Sequence, residues 1–406
     1  MKKLLRLLSL ILAAALCLAL SSCGKDDKNS ATVGKIADEY DYMSTYQGDG
    51  IGYVVAKEGK YGIIDKNGNY ILEPTFENIY STFSENMLVA QDNKQLVFID
   101  MKGNVIIRSD ADVVDEFYDG VAACCYYNES TETFEYSYIS KETGKRINET
   151  VYYSAKAFSE GYGVCCVKET GLYGFVKPDG TYLIEPQYKN AGSFRNGLAP
   201  VMLGEAWGFI DTTGKVVIEA QFQNVAFFEE DGLCRAKKND KWGFIDKTGK
   251  FVIEPSFDEL NVFHEGFAVV CKDAKYGVID TKGKTVLKIE YDNVSAFSEG
   301  YFSVYKDGKW GFADSTGKVT ITPQYSFTSV FSEGLAAAQV STDSLCGFID
   351  KNNTEVIAPA YKAVSYFHNG NAIVETEEGL YGIIDKSGSY IVQPEFNYIE
   401  EILPAE

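Results

Sequence analysis

The sequence predicts an all-β protein, a tandem array of about ten repeats of ~35 residues with three short strands each, open and superhelical or propeller-like. Three observations predict it. An aromatic-Gly pair followed by two apolar residues, in most copies ending in Ile-Asp, returns at near-even spacing, beginning at Tyr61, Tyr173, Trp207, Trp242, Tyr276, Trp310 and Tyr381. All three tryptophans of the chain fall on that one position. An Asp-x-x-Gly turn and an apolar run ending in Pro-x-aromatic follow in fixed order, as in Asp246 to Gly249 and then Phe251 to Phe257. A unit this small cannot bury an apolar face alone, so stability should come from stacking between neighbours.

The chain begins with a targeting segment. Residues 1–22 pair a basic start (Lys2, Lys3, Arg6) with an apolar stretch from Leu7 to Leu20, too short for a spanning helix of about 20 residues. Leu20-Ser21-Ser22-Cys23-Gly24 resembles a bacterial lipobox, which implies cleavage before Cys23 and its acylation. Residues 23–47 are then a polar tether, aperiodic and unsuited to a packed core. Lys25-Asp26-Asp27 resembles a surface-export signal of Bacteroidota lipoproteins. The expected location is the cell envelope, anchored by lipid on the extracytoplasmic side and possible at the cell surface.

Residues 48–400 carry the ten repeats, and 401–406 read as a short tail. Each unit opens with an alternating apolar run after a glycine, such as Gly266-Phe267-Ala268-Val269-Val270, the pattern of a half-buried strand. A polar hairpin turn such as Asp307-Gly308-Lys309 leads into the anchor strand. The Asp-x-x-Gly turn comes next: Asp can accept from the turn's own amides, and the final Gly suits a positive φ. Asn353 in place of that glycine supports the geometry, since Asn tolerates the same region. The last strand ends at a proline, which donates no backbone hydrogen bond and belongs at an edge. Beyond it, Phe-Ser-Glu-Gly at Phe158, Phe297 and Phe331 marks a turn whose phenylalanine plugs the gap between units. The glycine after each anchor aromatic implies a close approach to bare backbone, most simply by a neighbouring aromatic ring. Two copies are worn, at Leu96-Val97-Phe98 and Tyr136-Ser137-Tyr138. The array begins and ends in one phase, with no split unit to fasten a ring, which favours an open or partly closed form.

Lys241-Trp242-Gly243-Phe244-Ile245-Asp246 and Lys309-Trp310-Gly311-Phe312 resemble the WG-containing repeat, also called the KWG repeat. The resemblance covers nearly the whole mature chain. It implies a β-rich bacterial protein, secreted or lipid-anchored, and it brings no catalytic residue.

The chemistry in the sequence is mostly structural. Aspartates at equivalent turn positions do not form the unique constellation an active site needs. No nucleophile elbow, zinc helix or phosphate loop is present, so neither enzyme activity nor a cofactor or metal is expected. His264 and His368 share one turn position and should face solvent. Seven cysteines remain after Cys17 and Cys23, an odd set that fits small buried thiols. On alternation, one of Cys124-Cys125 and one of Cys165-Cys166 should face inward, and a Cys124–Cys165 or Cys125–Cys166 bridge is the alternative. A net charge of −20 with no basic cluster argues against nucleic acid. The longer segment Tyr126 to Tyr136 makes Tyr126, Tyr127 and Tyr136 candidate ligand-binding residues. The expected function is a lipid-anchored binding scaffold for a protein partner, without catalysis. A glycan or cell-wall binding module using exposed aromatics is the alternative.

Overall fold

The computed structural model describes residues 51–404. The expected signal peptide at 1–22 and the expected tether at 23–47, with Cys23, lie outside the described residues. In the seventh unit, Glu259–Leu260, Phe267–Lys272, Lys275–Asp280 and Thr285–Tyr291 pair in that order as an antiparallel sheet. The plan recurs from unit one, with Gly52–Lys57, Lys60–Ile64 and Tyr70–Phe76, to unit ten, with Ala363–Val364, Asn371–Glu375, Tyr381–Asp385 and Tyr390–Phe396. Units three and four merge into one seven-stranded sheet through the contact of Tyr136 with Tyr152. The expected three strands per unit become four, because the chain leaving Pro-x-aromatic pairs briefly with the strand that follows it.

The expectation of an open array is overturned by the C-terminal strand. Tyr398–Pro404 is not a tail beyond the repeats: it pairs antiparallel with Gly52–Lys57, as Ala56↔Tyr398 and Gly52↔Ile402. Unit one lacks a first strand of its own, and the far end of the chain supplies it. The same strand then runs parallel beside Thr82–Phe83 of unit two. Ten buried clusters each draw on two successive units, and the one joining ten to one packs Ile383, Val392 and Phe396 against Tyr53, Val55 and Ile64. The units therefore close into a propeller-like ring.

The joints are built as the phenylalanine positions predict. Phe194, Phe331 and Phe367 are fully buried or nearly so. Each meets a ring of the preceding unit: Phe175–Phe194 at 4.8 Å, Phe312–Phe331 at 4.5 Å and Phe348–Phe367 at 4.7 Å. Such pairs add about 0.5–1.5 kcal/mol each to the area they bury. The anchor residues Tyr61, Tyr173, Trp207, Trp242, Tyr276, Trp310 and Tyr381 are half-buried and rest on these clusters.

The glycine after the anchor has a different cause from the one expected. A Cβ at Gly208 would lie 2.5 Å from the carbonyl oxygen of Ile218, in the next strand of its own unit, not against an aromatic ring. Between Trp207 and Phe209 the partner residue moves from Phe222 to Ile218, so the outer strand bulges over the glycine. Proline sits in most of these bulges, where no amide is required. Val97 replaces the glycine in unit two, and there the bulge is missing: Val97↔Arg108 is followed directly by Phe98↔Ile107.

Both members of each cysteine pair are buried, not one. These strands are covered on both faces by neighbouring units, so alternation no longer separates inside from outside. None of the seven described cysteines is in a disulfide, so neither proposed bridge forms.

Candidate functional site

Most polar side chains that could do chemistry are engaged in turns and joints. Asp246 Oδ1 accepts from the backbone amides of Thr248 at 2.8 Å and Lys250 at 3.2 Å, while Gly249 takes a φ of 80°. The Thr248 hydroxyl, donating to the same oxygen at 2.6 Å, helps hold this carboxyl below its ordinary range. The Phe-Ser-Glu-Gly phrase is a latch to the next unit. Ser298 Oγ donates to the Phe331 carbonyl at 2.7 Å, and Glu299 accepts from the Gly334 amide at 2.9 Å. Ser332 and Glu333 repeat both contacts on Phe367 and Gly370. Glu299 and Glu333 have left-handed φ values of 49° and 52°, as a two-residue hairpin turn demands. A lysine of the following unit pairs with each acid, Lys351 with Glu299 at 3.1 Å and Lys386 with Glu333 at 3.5 Å.

The joint between units ten and one departs from this pattern. His368 stands where Ser298 and Ser332 latch the two preceding units, and its Nδ1 lies 2.7 Å from Glu401 Oε1 on the closing strand. Its side chain is only 11% exposed, so the expectation of a solvent-facing histidine fails at this position; His264 is 34% exposed. Closure of the ring covers His368, and nothing in its own unit announces that. Asn369 replaces the latching acid. Asn371 occupies a strand position that is Leu335, Tyr301 and Phe267 in the three preceding units. It is buried, and its Nδ2 donates to the Tyr53 hydroxyl at 3.2 Å and to the Lys66 carbonyl at 3.3 Å. Burial pushes the Tyr53 phenol up to about 12, partly offset by Asn371. Beside these groups lies an open cleft of about 470 Å³, lined by Ile51, Gly52, Tyr53, Asp65, Lys66, Asn67, Asn369 and Glu401.

The three tyrosines singled out in the sequence do not converge. Their segment is a hairpin of two strands, Val121–Asn128 and Thr133–Ser140, zipped to the pair Asn128↔Thr133. Tyr126 donates to Asp110 Oδ1 at 3.0 Å under the Arg146 guanidinium, 3.9 Å from its ring. Tyr127 packs on Phe134 at 5.2 Å. Tyr126 rests on the cluster between units two and three, Tyr136 on that between three and four. The seam residues were missed instead. Their only sequence signal was departure from the repeat: Asn for a large apolar residue at 371 and Asn for an acid at 369.

The repeat sequence matches a known family. The profile of the WG-containing repeat matches residues 61–95, 173–205, 207–242, 242–276, 276–310, 310–341, 347–379 and 381–402, and the chain belongs to that family. The unmatched stretch from 96 to 172 holds the two worn copies. A comparison with curated proteins returns no match. Among solved structures, a eukaryotic initiation factor superposes with a TM-score of 0.51 at 11% identity, over 87% of this chain and 98% of that one. BamB from Moraxella catarrhalis follows with a TM-score of 0.33 at 11% identity, covering 76% and 96%. Hsv2p of Kluyveromyces lactis gives 0.32 at 12% identity, covering 71% and 98%. The first likeness speaks for the fold alone, and the other two superpose too loosely to carry an argument.

Proposed function

We propose that this protein is a lipid-anchored scaffold on the extracytoplasmic side of a bacterial envelope, where it binds a protein partner without catalysis. The lipobox-like Leu20 to Gly24 supports the anchor, with Cys23 as the acylated residue. One observation carries the partner. Ile71, Ile106, Val217, Val252 and Val356 are 38–55% exposed, and all occupy the second position of their unit's last strand. Exposed β-branched residues recurring along free sheet edges suit a partner that reads several units at once. The exposed aromatics Tyr70, Tyr80, Tyr153 and Phe327 do not share one such position, which weighs against stacking on a glycan chain. Repetition of the turn aspartates and the engagement of Glu299 and Glu333 in latches support a non-catalytic role.

A photo-activated cross-linking residue placed at Val217 or Val252 in intact cells tests this reading. Capture of the same protein from both positions is expected. Absence of any captured protein, with saturable pelleting of the chain on surface polysaccharide, would replace the partner with a glycan.

A further inference from the structure

The seam joins the same two kinds of surface as the other nine joints, yet three of its positions leave it less tightly sealed. Gly52 pairs with the closing strand where unit seven has Phe267 and unit eight has Tyr301. Asn371 supplies a buried amide at the equivalent place in unit ten. Asn369 removes the carboxylate that would have met Lys66, as Glu299 meets Lys351 and Glu333 meets Lys386. Lys66 makes no ion pair with any described residue. A plain repeat of the Phe267 and Glu333 chemistry would have filled and neutralised this space.

What remains is a cleft within the size range of small-molecule sites, with both charges and a buried donor on its wall. Tyr53 is 4% exposed and already accepts from Asn371, and its own O–H proton has no acceptor among the described residues. The phenol is protonated at neutral pH even at its ordinary value, and burial only raises it further, so it stays a donor. Glu401 lines the same wall, oriented by His368. A simple anion would face Glu401 and Asp65, and a simple cation would face Lys66. A molecule carrying both charges satisfies each side.

We propose that the seam cleft binds a small zwitterion of the α-amino acid class, its carboxylate on Lys66 and the Tyr53 hydroxyl and its ammonium on Glu401. The site stands apart from the exposed strand edges of the scaffold reading, and neither depends on the other. Because the cleft lies between units ten and one, an occupant bridges the two ends of the chain and stabilises the closed ring by mass action.

Isothermal titration calorimetry on the purified full chain in detergent tests the assignment, with free amino acids screened singly. The best ligand is then compared with its N-acetyl and methyl-ester forms, which remove one charge each. Saturable binding by a free amino acid is expected, weakened about tenfold or more by either block, the scale of one lost charge-assisted contact. Tyr53→Phe and Lys66→Met should each weaken it by roughly five- to tenfold. Lys66→Met leaves the unfolding temperature of the empty protein unchanged, whereas Tyr53→Phe also lowers it, because the buried Asn371 amide loses an acceptor. The proposal is overturned if no amino acid binds at millimolar concentration, if both blocked forms bind as well as the free one, or if both variants bind like the parent.

Discussion

Gly174 and Ser137 hold equivalent places, opposite Cys165 and Cys124 in consecutive units, and their substitution should have opposite effects. A Cβ at Gly174 would lie 2.8 Å from both the Ile184 carbonyl oxygen and the Pro186 nitrogen, so Gly174→Ala should destabilise by roughly 1–3 kcal/mol. Ser137 sits where the bulge is worn away, and its buried hydroxyl has no hydrogen-bond partner among the described residues. Ser137→Ala should therefore be neutral or stabilise by about 1 kcal/mol. Urea unfolding of both variants decides the point, and two losses of equal size would contradict it. The turn aspartates set an acid dependence. Hydroxyls of Thr213, Thr248 and Thr316 are the largest influence in lowering Asp211, Asp246 and Asp314. A folded pKa below the unfolded one means that the unfolded chain binds more protons, so this stability is full above about pH 4 and lost as pH falls through the folded values. A flat unfolding temperature between neutral pH and pH 3 would contradict that role.

Local elements were legible because their causes are local. The positive φ at the end of each Asp-x-x-Gly turn, the hairpin turns and the plugging phenylalanine follow from residues a few places apart. The latch was not legible: Ser298 and Glu299 act on Phe331 and Gly334, and the sequence alone marks them only as a turn. Ser298→Ala should cost about 1–2 kcal/mol by leaving the Phe331 carbonyl without its donor. Thermal unfolding reads this directly, and an unchanged midpoint would remove the latch from the account. The closing strand was misassigned for a related reason. Tyr398 to Ile402 has no partner in its own stretch of chain, and the reading of one phase throughout ended the repeats at Glu400. Its physical signature, Ile399 and Ile402 on either side of Glu400 and Glu401, is too short to be decisive alone. Ile402 is fully buried, so Ile402→Ala should cost about 2–5 kcal/mol, against almost nothing for a residue in a free tail.

At the scale of the molecule, ten similar units close at a joint unlike the two before it, and both the covering of His368 and the cleft beside Tyr53 arise from that closure. The salt bridges show how nearly the seam copies an ordinary joint. Lys306 of unit eight meets Glu290 of unit seven at 2.8 Å, across 16 residues of chain. Lys57 of unit one meets Glu395 of unit ten at 2.9 Å, across 338. Surface pairs like these contribute little to stability, but they report geometry. Carbodiimide treatment of the purified monomer, which joins only amines and carboxylates already in contact, followed by peptide mass spectrometry, tests closure most directly. A closed ring predicts the intramolecular Lys57–Glu395 link at a yield close to that of Lys306–Glu290. An open array would give the second link without the first.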